Sequence, residues 1–160
     1  MRLRPVLAAL LLAAGACSPQ QAGQAKVAAT APTTVHPASG LAIIPLTVTA
    51  EGKVHRFRVE LARSDAEQER GLMFRDRMGA DEGMIFPYAP PQQVAFWMKN
   101  TVLPLDIVFI GRDHRILNIA DARPYDETPL PSAGAVSGVL ELNAGRSAAL
   151  GIGPGDRVDW

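Results

Sequence analysis

Short apolar runs, some alternating with polar residues and some solid, dominate the chain from residue 41 onward, broken at close intervals by glycine and proline. Leu41 to Thr49 and Val54 to Ala62 read as the first two strands. In the second, His55, Phe57, Val59 and Leu61 alternate with Arg56, Arg58 and Glu60, the pattern of a strand with one face against a core. Ser64-Asp65-Ala66-Glu67 forms a capping box, in which the serine side chain accepts from a backbone amide and the glutamate reaches back to the serine amide. It predicts a short helix that ends at Gly71. Met84 to Phe86, Val94 to Lys99, Leu105 to Ile110 and Arg115 to Ala120 follow as strands, the last two joined into a hairpin through Gly111-Arg112-Asp113-His114. Leu105 to Ile110 is apolar on both faces after Asp106 and therefore needs cover on both sides. Val136 to Leu142 predicts a further strand, Ala144 to Leu150 one or two helical turns, and Asp156 to Asp159 a closing strand after the Gly153-Pro154-Gly155 turn. The sum is a mainly β, α+β domain over residues 41–160: a small antiparallel sheet that curls towards a barrel, with one or two short helices.

The first 40 residues carry a different pattern. Arg2 and Arg4 precede an apolar run from Val6 to Ala14, and Ala14-Gly15-Ala16 supplies small residues for cleavage, so residues 1–16 read as a signal peptide. The run is shorter than the roughly 20 residues that span a bilayer. Cys17 is the one cysteine of the chain. Its place directly after Ala14-Gly15-Ala16 resembles a bacterial lipobox, and lipidation of Cys17 is the expectation; ordinary secretion with cleavage before Cys17 is the other reading of the same residues. Ser18, where an Asp would resemble an inner-membrane retention signal, favours the periplasmic face of the outer membrane. Residues 17–40 are rich in Gln, Ala, Pro and Thr, with one Lys and no acid, and read as a disordered tether of roughly 25 Å end to end that contributes nothing to the core.

Charge narrows the partners. All 16 acidic residues follow residue 40, whereas Arg2, Arg4 and Lys26 of the 16 basic ones precede it, which leaves the folded part with a net charge of −3. Nucleic acid and anionic lipid surfaces select clustered positive charge, so neither is an expected partner of the domain. The expected partners are a membrane, through the anchor at Cys17, and a small ligand, glycan or peptide.

The block Phe96-Trp97-Met98-Lys99-Asn100-Thr101 packs bulky apolar residues around a few polar ones, more apolar than a solvated loop needs and more polar than a plain core strand. Pro104-Leu105-Asp106-Ile107 follows it. With Gly71-Leu72-Met73-Phe74-Arg75, Asp81-Glu82-Gly83-Met84-Ile85-Phe86, Val139-Leu140-Glu141-Leu142, Gly151-Ile152 and Gly155-Asp156, these motifs resemble, in order and from about Phe57 to Val158, a bacterial and archaeal family known as domain of unknown function 192. The resemblance implies a domain and a habit of export. It brings no catalytic residues with it.

The charged members of these motifs are Arg75, Lys99, Asp106 and Glu141. One reading is structural: Asp106 or Glu141 pairs with Arg75 or Lys99 and caps loop backbone. The other is a polar site in which Trp97 is a stacking platform and Asn100 and Thr101 supply hydrogen bonds, since ligand pockets combine an apolar lining with a few convergent polar groups. Strand alternation places Trp97, Lys99 and Thr101 on one face and Phe96, Met98 and Asn100 on the other. Asp106 is expected to be buried and held by a cation or by backbone amides. Met73, Met78, Met84 and Met98 are soft potential Cu(I) ligands, but Met73, Met84 and Met98 sit among Leu, Ile, Phe or Trp as gap fillers do. His36, His55 and His114 lack zinc-site spacing. No metal site and no cofactor is expected. Asp81-Glu82 before Gly83 reads as turn chemistry rather than as an acid–base pair. No Gly-x-Ser-x-Gly elbow is present. The leading expectation is a non-enzymatic envelope module that binds a ligand through Arg75, Trp97, Lys99, Asn100, Thr101, Asp106 and Glu141. Its rivals are a hydrolytic enzyme using Asp106 and Glu141, and a structural scaffold of an envelope complex.

Overall fold

The computed structural model describes residues 34–160. The expected signal peptide, Cys17 and the tether as far as residue 33 lie outside the described residues.

The described chain runs β1 (Ile43–Ala50), β2 (Lys53–Leu61), α1 (Asp65–Arg70), β3 (Glu82–Gln92), β4 (Ala95–Phe96), β5 (Leu105–Gly111), β6 (Ile116–Ala122), β7 (Leu130–Pro131), β8 (Val136–Asn143), α2 (Arg146–Ala149) and β9 (Arg157–Asp159). The domain is mainly β, as its periodicity indicates. Seven strands form one sheet in the order β6-β5-β8-β3-β2-β1-β9, and β4 pairs with β7 apart from it. The sheet is mixed rather than wholly antiparallel: β2 and β3 run parallel, because α1 and the loop after it carry the chain back to the same end before β3 begins. It curls without closing. The isolated bridge Arg115↔Arg157 brings the two edges together at one corner, helped by Ile116 N–H donating to the Asp156 carbonyl at 2.9 Å.

Each strand has two faces, and each face has its own core. Leu46, Val48, Phe57, Val59, Ile85, Val108, Leu140, Leu142 and Val158 fill the inside of the curl. Met84, Phe86, Leu105, Ile107, Phe109, Val136 and Val139 point the other way and are covered by Leu72, Met98 and the loops that carry them. β5 lies between β6 and β8, and its residues are buried on both sides, which accounts for its solid apolar run. Gly83 sits where β2, β3 and β8 lie side by side, and a Cβ there would collide with the Glu141 backbone carbonyl.

α1 forms as its capping box requires. Ser64 Oγ accepts from Glu67 N–H, and the Glu67 carboxylate accepts from the amides of Ser64 and Arg63, each at 2.8 Å. Those backbone amides hold the Glu67 carboxyl below its usual range. Gly71 ends the helix with φ of 46°.

Three expectations need correction. The strand expected over Val94 to Lys99 is only Ala95–Phe96, because Met98 to Thr101 form a turn in which Thr101 N–H donates to the Met98 carbonyl. β3 continues to Gln92, past the Pro87 at which a strand was expected to stop, with its register to β8 shifted between Pro87 and Gln92. Finally, the domain begins before Leu41. Residues 34–36 double back on 41–43, with Ile43 N–H donating to the Thr34 carbonyl at 2.7 Å and His36 N–H to the Leu41 carbonyl at 2.8 Å.

Candidate functional site

The outer face of β2, β3, β8 and β5 carries one row of residues that pair across the strands: Glu60, Met84, Glu141 and Ile107. Two buried acids thus flank Met84. Burying a charge without a partner is costly, and the fold treats the two acids differently.

Glu60 is fully provided for. Arg75 Nη1 and Nη2 donate to its two carboxylate oxygens at 2.8 and 3.1 Å. Ser39 Oγ donates to Oε2, and His36 Nδ1 lies 3.7 Å from Oε1. Arg75 therefore belongs to a structural pair and does not join the expected site, and its partner is neither Asp106 nor Glu141. Strand alternation alone assigned Glu60 to a solvated face; it is buried because the 34–40 segment, distant in sequence from Arg75, closes over it.

Asp106 also leaves the site. It is buried on the opposite face, where Oδ1 accepts from Gly145 N–H and Oδ2 from Ser147 N–H, both at 2.8 Å. It caps the start of α2, the backbone-amide option of its expected burial. A paired-carboxylate mechanism with Asp106 and Glu141 has no geometry here, since the two side chains leave adjacent strands on opposite faces.

Glu141 is 6% exposed, and its Oε2 has no hydrogen-bond partner among the described residues. Burial pushes its carboxyl up to about 8. It lines an open cavity of about 510 Å³ together with Phe86, Tyr88, Phe96, Trp97, Lys99, Asn100 and Thr101, with the end of α1 and Gly71, Leu72 and Met73 along another side. That volume is in the range of small-molecule sites, about 300–1,000 Å³. Burial, and then the nearby Glu141, push the Tyr88 hydroxyl up to about 12. Phe96 meets Phe86 edge to face at 5.1 Å and Phe109 at 6.1 Å, which fixes one aromatic wall. Trp97 is 52% exposed, with Lys99 Nζ 5.5 Å from its ring centroid.

The turn that presents these residues is braced from both sides. Phe74 N–H donates to the Asn100 carbonyl, Tyr125 N–H to the Thr101 carbonyl and Met98 N–H to the Asp126 carbonyl. Phe74, Asn100 and Tyr125 all have positive φ, 62°, 54° and 61°, a region that costs non-glycine residues and concentrates at functional sites. Met98 and Thr101 are buried, whereas Trp97, Lys99 and Asn100 are exposed. The expected alternation thus holds from Phe96 to Lys99 and fails at the turn, where Asn100 and Thr101 exchange faces.

Of the seven expected site residues, the fold brings Trp97, Lys99, Asn100, Thr101 and Glu141 to one cavity and leaves Arg75 and Asp106 out. Sequence reasoning missed Tyr88. The alternation Met84, Phe86, Tyr88 would have placed it beside Phe86, but the prolines at 87, 90 and 91 read as the end of the strand. Among the described residues no three His, Cys, Asp or Glu side chains converge as a metal site would require, and no helix is long and apolar enough to cross a membrane.

Residues 46–160 match the family of domain of unknown function 192, described as an uncharacterized ACR. A crystal structure of a protein of unknown function from Novosphingobium aromaticivorans DSM 12444 is 58% identical, with a TM-score of 0.79 over 82% of this chain and 94% of that one. A putative transcription regulator from Sinorhizobium meliloti 1021 is 41% identical, with a TM-score of 0.72 over 74% of this chain and 94% of its own. No curated protein matches the chain.

Proposed function

This chain belongs to the family of domain of unknown function 192, and we propose that it is a non-enzymatic binding module of the cell envelope whose cavity holds a small organic ligand against Glu141. The observation that carries this reading is the contrast within one row of the sheet. Glu60 has a bidentate arginine, while Glu141, one strand beyond Met84, lines a cavity and has a buried Oε2 with no hydrogen-bond partner among the described residues. An acid kept in that state costs stability, and a ligand that completes its hydrogen bonding returns the cost as affinity. The aromatic wall and the strained turn at the cavity mouth fit the same role.

The envelope part of the reading rests on the signal-like N-terminus and on Cys17 as a lipid attachment point. A role in transcription, as named for the Sinorhizobium protein, implies a clustered positive surface if it acts on DNA. The folded part of this chain carries a net charge of −3.

The test is thermal melting of wild type and Glu141→Leu against a panel of amino acids, amines, mono- and disaccharides and short peptides. A compound that raises the wild-type midpoint saturably and leaves the variant unmoved supports the site. A panel in which no compound separates the two proteins overturns it.

A further inference from the structure

Building on that binding reading, we propose that the cavity selects an organic cation, an amine or quaternary ammonium, whose charged head sits between the Glu141 carboxylate and the aromatic side chains of Phe86, Tyr88, Phe96 and Trp97. Four of the residues lining the cavity are aromatic, and they share it with one buried acid. Aromatic faces attract cations through their quadrupole, most strongly where water is excluded, and aromatic enclosures are how proteins hold quaternary ammonium groups. The protein's own chemistry illustrates the attraction at this site, since the Lys99 ammonium stands 5.5 Å from the Trp97 centroid.

Ligand charge decides between the alternatives. An anion is disfavoured by the negative ring faces and cannot offset the charge of an ionised Glu141. A neutral ligand of the same shape gains the apolar contact but no Coulomb energy. A cation gains both, in a site where desolvation makes the pairing stronger than in water. The other charged groups lining the cavity are Glu69 and Arg70 at the end of α1 and Lys99 on the turn, while Tyr88 of β3 is a neutral phenol. Glu69 and Arg70 offset one another, and Lys99 is the cation a ligand must compete with at the mouth. On the strands that flank Glu141, the cross-strand partners are Met84 and Ile107, neither of them titratable.

The proton balance follows. With its carboxyl held up to about 8, Glu141 is mostly protonated at pH 7. Binding a cation ionises it: the O–H bond breaks, the proton passes to buffer, and no other bond forms. Affinity should therefore rise with pH, by up to tenfold per unit below about 8, and level off above.

The experiment titrates the full chain with choline, with butylamine, and with 3,3-dimethyl-1-butanol, the neutral shape-mimic of choline. Binding is followed by tryptophan fluorescence and by calorimetry in buffers of differing ionisation enthalpy. The expected result is saturable binding of at least one cation, at least tenfold weaker binding of the neutral alcohol, and release of close to one proton at pH 7 that disappears at pH 9.5. E141Q should lose the proton release and at least tenfold in affinity while melting no lower than wild type. If the alcohol binds as well as choline, the cation inference is overturned and the binding reading stands. If neither cation binds the wild-type protein, the inference is likewise overturned, and the binding reading then rests on the neutral members of the broader panel.

Discussion

Glu141 and Glu60 show how far a single partner changes what a buried acid does. Folding carries Glu141 from its ordinary value of 4.5 up to about 8. Between those values the folded state binds more protons than the unfolded one, so stability falls as pH rises. The slope approaches about 1.4 kcal/mol per pH unit inside that window and vanishes outside it. Urea midpoints measured from pH 4 to pH 9 should show this decline in wild type and a flatter line in Glu141→Gln, which should also be the more stable protein at pH 8. Equal slopes would mean that the Glu141 carboxyl is solvated. At Glu60 the expected effect comes from removing its partner. Arg75→Ala leaves a buried carboxylate without its bidentate partner and should cost about 3–5 kcal/mol. Chemical denaturation checks this, and a loss under 1 kcal/mol would show that Ser39 and His36 suffice to hold Glu60.

At the scale of elements, the site depends on how closely β3 and β8 approach one another and on what covers the row they share. Gly83→Ala places a methyl against the Glu141 backbone carbonyl, so the strands must part or the substitution must unfold the domain. The expected outcome is a fall in the melting midpoint of several degrees, together with a change in the near-ultraviolet signal of the aromatic wall. The 34–40 segment is the second dependence. A chain that starts at Leu41 loses the turn whose Ser39 and His36 reach Glu60. It should be less stable by about 1–3 kcal/mol, the sum of the few hydrogen bonds the segment makes to Glu60 and to residues 41–43, each worth about 0.5–1.5 kcal/mol net. A chain that starts at residue 34 should keep the stability of the longer protein. Equal midpoints for the two truncations would show that the segment contributes nothing to the fold.

At the scale of the whole molecule, the two faces of one sheet have different duties. The inner face carries the apolar cluster that holds the curl together, with Asp106 buried on it under the start of α2. The outer face is partly apolar and carries the acid row and the cavity. The envelope setting proposed for this domain predicts a diacylglycerol on Cys17 and removal of the chain before it. Mass spectrometry of protein from the membrane fraction should find the lipid mass on an N-terminal Cys17 peptide. Recovery of an unmodified Cys17 thiol in the soluble periplasmic fraction would remove the anchor and leave secretion.

Local patterns in the sequence were enough for the mainly β class, the capped helix at Ser64, the β5–β6 hairpin and the gathering of Trp97, Lys99, Asn100 and Thr101, because each depends on residues within a few positions of one another. Alternation, capping and turn chemistry act over that range. The parallel β2–β3 pair, the Glu60–Arg75 pair under the 34–40 segment, the separation of Asp106 from Glu141 and the entry of Tyr88 into the cavity were decided by tertiary structure alone. Each depends on which strands become neighbours, and side chains far apart in the chain meet only once the sheet order has set which face of the sheet they share.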